Sequence, residues 1–89
     1  MGYVIPSQVL VAHLEGEAVL LHMDTKRYYR LNDTAARIWK GLERREGIPA
    51  IVGALCAEFA VEPETAQREV DQMILDLMTN GLITPDPVQ

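Results

Sequence analysis

Cysteine occurs once, at position 56, so no intramolecular disulfide framework and no Cys-based zinc site can form, which fits a reducing compartment. No apolar run approaches the roughly 18 residues that a bilayer-spanning helix needs. The start, Met1-Gly2-Tyr3-Val4-Ile5-Pro6, puts no basic region ahead of an apolar stretch, so no signal peptide is expected. These absences point to a cytoplasmic protein with no membrane partner. The six glycines are scattered singly, which excludes a Gly-rich phosphate loop. There is no internal repeat, low-complexity tract or linker. The 89 residues have room for one domain, 1–89, and the 48% apolar and 24% charged content is that of a globular chain.

Catalytic and metal-binding constellations are equally scarce. His13 and His22 are the only histidines. Each falls on a predicted strand, and with Glu15-Gly16-Glu17 as the intervening loop the two point to opposite faces, so they cannot share a metal. Both read as strand-surface residues. Cys56 lies in an apolar helical stripe, the setting of a buried structural thiol rather than a nucleophile. Glu62 and Glu64 flank a helix start, where carboxylates favour the helix dipole without any catalytic role. No enzyme activity, metal or cofactor is expected.

What is present is charge asymmetry. The net charge is −5, yet seven of the eight bases (Lys26, Arg27, Arg30, Arg37, Lys40, Arg44 and Arg45) lie within twenty consecutive residues. After Glu46 the only base is Arg68. The segment from Lys26 to Arg45 therefore reads either as a solvated surface or as a positive region that meets an acidic partner.

Hydrophobic period divides the chain into three strands and then three helices. Val9–Leu14 is rich in strand formers and ends at a Gly-containing turn. Ala18–Met23 resumes the pattern, with Val19, Leu21 and Met23 as its apolar face. With a three-residue loop Asp24-Thr25-Lys26, Met23 faces Arg27, Leu21 faces Tyr29 and Val19 faces Leu31, so the apolar sets share one side. Asn32-Asp33 caps a first helix whose stripe is Ala35, Ile38, Trp39 and Leu42, with Glu46-Gly47 as its end. Pro49 opens a second helix carrying Ile48, Ile51, Val52, Leu55, Cys56 and Phe59. A third runs from Pro63 to Asn80-Gly81, with Ala66, Val70, Met73, Ile74 and Leu77 as its core stripe and Leu75 and Met78 flanking it. The fold class is α+β: a winged helix-turn-helix-like domain in which a three-stranded antiparallel sheet is followed by three helices.

A helix-turn-helix invites a nucleic-acid-binding regulator as the alternative function. The electrostatics oppose it. The third helix holds Glu64, Glu69, Asp71 and Asp76 against Arg68 alone, whereas duplex binding draws on several cationic phosphate contacts.

The run from Arg27 to Trp39, Arg-Tyr-Tyr-Arg-Leu-Asn-Asp-Thr-Ala-Ala-Arg-Ile-Trp, resembles the PqqD family, whose domain is also called the RiPP recognition element. Ala18-Val-Leu-Leu21 before a short hairpin, and Val61-Glu-Pro-Glu-Thr65 leading to Asn80-Gly-Leu-Ile83, extend the resemblance over about residues 8–83. It is most similar to the stand-alone leader-binding proteins of lasso-peptide biosynthesis, and departs from relatives at Lys26, where they often carry Gly. The resemblance implies binding of the leader segment of a ribosomally made precursor peptide. It also implies presentation of that peptide to a separate leader peptidase, with a cyclase acting afterwards.

The residues themselves suggest how such binding would work. In strand order one-two-three the third strand is an edge, and an open edge can accept an added strand. Main-chain groups from Arg27 through Tyr28, Tyr29 and Arg30 to Leu31 would hold an extended peptide. Leu75 and Met78 are the expected apolar pocket residues, with Ile74 at the floor and Asp71 as a polar neighbour. Arg27 and Arg30 are expected to pair with acidic leader residues, while Tyr29 and Leu31 belong mainly to the core.

Overall fold

The structure is a computed structural model that describes residues 2–87. In chain order it contains β1 (Tyr3–Val4), β2 (Val9–Leu14), β3 (Glu17–His22), β4 (Arg27–Leu31), α1 (Asp33–Glu43), α2 (Ile48–Phe59), α3 (Pro63–Thr79) and β5 (Thr84–Pro85). Strands β2, β3 and β4 form an antiparallel sheet in that order. The helices cover one of its faces. A separate two-stranded ribbon pairs β1 with β5 and joins the two ends of the chain. That ribbon is not among the predicted strands, because two residues are too few to show an alternation.

Local chemistry sets the helix boundaries. The Asn32 side chain accepts a hydrogen bond from the Ala35 amide at 2.9 Å, which is the N-cap bond of α1. α1 ends at Glu43 with Arg44 as its C-cap and Arg45 left-handed; Gly47, expected to close it, is instead the N-cap of α2. Pro49 and Pro63 occupy first-turn positions of α2 and α3, where a missing amide costs nothing. After α3, Gly81 adopts φ +72°, and the Leu82 amide donates to the Leu77 carbonyl at 2.8 Å. This Schellman-type reversal sends Leu82 and Ile83 back into the core, where both are buried.

The core gathers Trp39, Ile38 and Leu42 from α1, Ile51 and Leu55 from α2, and Ala66, Val70, Ile74 and Leu77 from α3 against Val9 and Leu20 of the sheet. At Gly41 the helices approach so closely that a Cβ would lie 2.7 Å from Cγ1 of Ile51. No helix in the described residues is long and apolar enough to cross a membrane.

The β3–β4 register differs from expectation by one residue. Leu20 pairs with Tyr29, Leu21 with Tyr28 and Ala18 with Leu31. The buried face of β3 is therefore Ala18, Leu20 and His22, and Met23 is exposed. The reason lies in the turn. The loop holds four residues, Met23 to Lys26, and Lys26 takes φ +63° while its amide donates to the His22 carbonyl at 2.8 Å. This positive φ at Lys26 is the conformation for which Gly is suited. Both faces of β3 are apolar, so alternation alone could not choose between them.

The histidines are corrected by the same kind of argument. The β2–β3 loop is only Glu15-Gly16, with Gly16 at φ +72°, so His13 pairs with Ala18 and His22 with Val9. Directly opposed residues share a face. Both histidines therefore point to the same side of the sheet, four pairs apart, or roughly 13 Å at the strand rise. His13 is exposed and pairs with Glu43 at 3.1 Å. His22 is buried rather than on the surface, and its Nδ1 accepts the Asp24 amide at 3.3 Å.

Candidate functional site

β4 has a sheet neighbour on one side only, β3. Along its other side, the backbone amides and carbonyls of alternate residues face outward, as they must at a sheet edge. Beside that edge lies a groove of about 430 Å³ between β4, the start of α1 and the C-terminal half of α3. Tyr29, Leu31, Ala35, Ile38, Met73, Leu77 and Leu82 provide its apolar surface. Glu69, Gln72, Asp76 and Asn80 provide a polar wall along α3, and Arg30, Asn32 and Thr34 line the opposite rim.

The local sequence explains why the groove stays open. β4 alternates, sending Tyr29 and Leu31 inward while Tyr28, at 70% exposure, and Arg30 face solvent on the outer side. On α3 the residues Glu69, Met73, Asp76 and Asn80 recur at spacings of four, three and four, which is one stripe of a helix. This stripe borders the buried one of Ala66, Val70, Ile74 and Leu77. Met73 belongs to the seam between them and is half-buried, packed against the core yet lining the groove.

Of the expected site residues, the structure brings Tyr29, Arg30 and Leu31 to the groove, with Arg27 and Tyr28 continuing the same edge strand. Tyr29 and Leu31 serve both core and groove. On α3 the expected residues stand apart from this groove. Asp71, Leu75 and Met78 do not line the groove, and Leu75 and Met78 are exposed elsewhere on the helix. At 100° per residue, Leu75 lies more than a quarter-turn past Asp76, and Asp71 and Met78 lie on the side of α3 remote from Met73. Ile74 is buried in the core rather than forming the groove floor. The pocket residues overlooked in the sequence are Met73 and Leu77 on α3, with Leu82 beyond it. The helical spacing places Met73 and Leu77 in the core stripe. Their position at its edge next to polar Glu69 and Asp76 was the available signal.

The positive segment is partly neutralised from within the chain. Arg30 pairs with Glu17 at 3.0 Å, Arg37 with Glu58 at 3.1 Å, and Arg45 with Asp86. His13 and Glu43 add a further contact at 3.1 Å between sheet and α1. The α3 wall of the groove is acidic by contrast. Gln72 donates to Asp76 Oδ1 at 3.0 Å, and Arg68 is the one base on the helix. Among the described residues, no group of three His, Cys, Asp or Glu side chains comes together as a metal site.

The family model for coenzyme PQQ synthesis protein D (PqqD) matches residues 17–83. No curated protein matches the chain. Two solved structures are similar over nearly their whole length. TbiB1, in complex with the TbiA(beta) leader peptide, is 35% identical, covers 93% of this chain and 94% of its own, and superposes with a TM-score of 0.83. A lasso peptide synthetase B1 complexed with the leader peptide is 28% identical, covers 96% of this chain and 100% of its own, and has a TM-score of 0.86.

Proposed function

The chain belongs to the PqqD family, and from that membership we propose that it binds the leader segment of a ribosomally made precursor peptide of the lasso class. The leader adds as a strand to the free edge of β4, and its inward side chains enter the groove beside Met73 and Leu77. The observation that carries this reading is the open β4 edge running alongside an apolar groove. Similarity to two proteins solved with leader peptides supports it.

The physical division of labour follows from the two walls. Main-chain hydrogen bonds along β4 hold any extended segment, while the groove selects particular side chains. The role is that of an adaptor in the cytoplasm. It holds the leader so that a separate peptidase, and then a cyclase, can act on the precursor, and it carries out no bond-breaking step itself.

The test is a fluorescence-polarisation titration of a labelled leader peptide from the precursor encoded with this protein. Met73→Asp puts a charge into the apolar groove and should weaken binding about tenfold or more. Leu75→Asp and Met78→Asp lie off the groove and should bind normally. Tyr28→Pro or Arg30→Pro removes an amide donor from the edge strand and should obstruct strand addition. Circular dichroism confirms that each variant folds. Folded Met73→Asp protein with unaltered leader affinity would move the site away from this groove.

A further inference from the structure

The groove's own charges say more about its ligand than its shape does. Glu69, Met73 and Asp76 follow one another along the wall of α3 that faces β4. Successive members are about one helical turn apart, near 5.4 Å. Met73 is the apolar contact in the middle, with a carboxylate before it and another after it. Glu69 makes no hydrogen bond or ion pair among the described residues. Asp76 accepts from Gln72 through Oδ1, which leaves Oδ2 available. The one cation lining the groove is Arg30, and its guanidinium is held by Glu17 at 3.0 Å. An acidic side chain laid in this groove meets two carboxylates and no free cation. A basic one meets two acceptors.

Two acids on a helix would by themselves be ordinary solvated surface. The neighbouring strand edge changes their meaning, because it commits the occupant to an extended chain antiparallel or parallel to β4. In such a chain, alternate residues share a face and lie roughly 6.6–6.8 Å apart. Glu69 and Asp76 lie about 4.5–6 Å from Met73 along α3, so with one inward side chain on Met73 a lysine or arginine at the next inward position is long enough to reach one of these carboxylates. We infer that this groove selects leader segments in which a large aliphatic anchor has a lysine or arginine two residues away, and that Glu69 and Asp76 read that cation. The inference rests on the leader-binding reading and deepens it. It also reverses the expectation drawn from Arg27 and Arg30, that acidic leader residues would be preferred.

Like-charge juxtaposition makes the same wall a filter against acidic segments, so discrimination comes from rejection as well as attraction. Because both carboxylates are exposed, each contact is modest, and the effect is one of selectivity more than of overall affinity.

The experiment is a selection by mRNA display from linear twelve-residue peptides randomised at every position. The bait is the wild-type chain, with counter-selection against folded Met73→Asp protein. Selected peptides should show Leu, Ile or Val with Lys or Arg enriched two positions away. For a selected peptide, changing that cation to Gln should weaken binding about three- to fivefold at low salt, and changing it to Glu should weaken it further. The difference should shrink at 0.5 M salt. In the E69Q/D76N double variant, which keeps side-chain size, the Lys, Gln and Glu forms should bind alike. Peptides that bind without any charge preference, or whose preference survives in E69Q/D76N, would overturn the inference and leave leader binding standing. Failure of the folded wild-type chain to retain any peptide over Met73→Asp would overturn the leader-binding reading, and this inference with it.

Discussion

Leu20 and Leu21 are consecutive residues of β3, and the sheet gives them opposite surroundings. Leu20 lies under the helices at 0% exposure, between Val11 and Tyr29. Leu21 lies on the outer face between Leu10 and Tyr28, where no helix packs and both neighbours are at least half exposed. The two faces differ little in hydropathy. They differ in what covers them. In a domain this small, which buries only about 60–65% of its unfolded surface, three helices can cover one sheet face, and the turn that sets the register decides which residues they cover. Apolar character thus marks where a chain can be buried, while the register and the helix packing mark where it is.

The largest test of this contrast is truncation on the inner face. Leu20→Ala should cost about 2–5 kcal/mol, because the cavity it leaves is walled by packed side chains. Chemical denaturation monitored by circular dichroism measures it. The equivalent change on the outer face, Leu21→Ala, should cost under about 1 kcal/mol, and equal costs at the two positions would mean that the outer face is also covered.

The register itself can be probed at the turn. Lys26→Gly relieves an L-residue from positive φ, and should raise stability by about 0.5–1 kcal/mol after the extra flexibility of the unfolded chain is counted. Lys26→Val places a β-branched side chain in the same left-handed position and should lower it by about 1–2 kcal/mol. A three-residue loop with Lys26 in extended conformation would reverse the order of the two variants. Smallest of all is the expected effect of Leu10→Ser, which changes an exposed outer-face side chain and should shift stability by no more than about 0.5 kcal/mol. That variant should also bind leader peptide normally in the polarisation assay, since Leu10 is on β2, at the other edge of the sheet.

Much of the architecture was legible because its signals are local. Asn32 as N-cap, Pro49 and Pro63 in first turns, and Gly81 at a left-handed reversal each act within a few residues of themselves, so reading them needs no knowledge of the fold. The β3–β4 register was not legible for the opposite reason. With Val19 and Leu21 as apolar as Ala18 and Leu20, either phase satisfies the alternation, and the deciding feature was a single lysine in a conformation usually left to glycine. The groove shows the same division. Its strand wall followed from β4 being last in the sheet. Its helix wall lies nearly half a turn of α3 away from Leu75 and Met78, because the residues at the seam of the core stripe, Met73 and Leu77, serve both core and groove.

The sequence by itself determined the three strands of the main sheet, the three helices, their order and the family, since capping, proline placement and the Arg27-to-Trp39 run are properties of short segments. Only the tertiary structure decided which face of β3 is inside and which side of α3 looks across at β4. Those choices depend on how helices lie against a sheet whose two faces are chemically alike, and on a helix a rotation of 100° separates one residue's surroundings from the next. The acidic lining of the groove belongs to this second class. Glu69 and Asp76 are unremarkable in the chain, and they acquire a ligand-reading position only because packing of the α3 core stripe turns the next stripe of the helix toward an open strand edge.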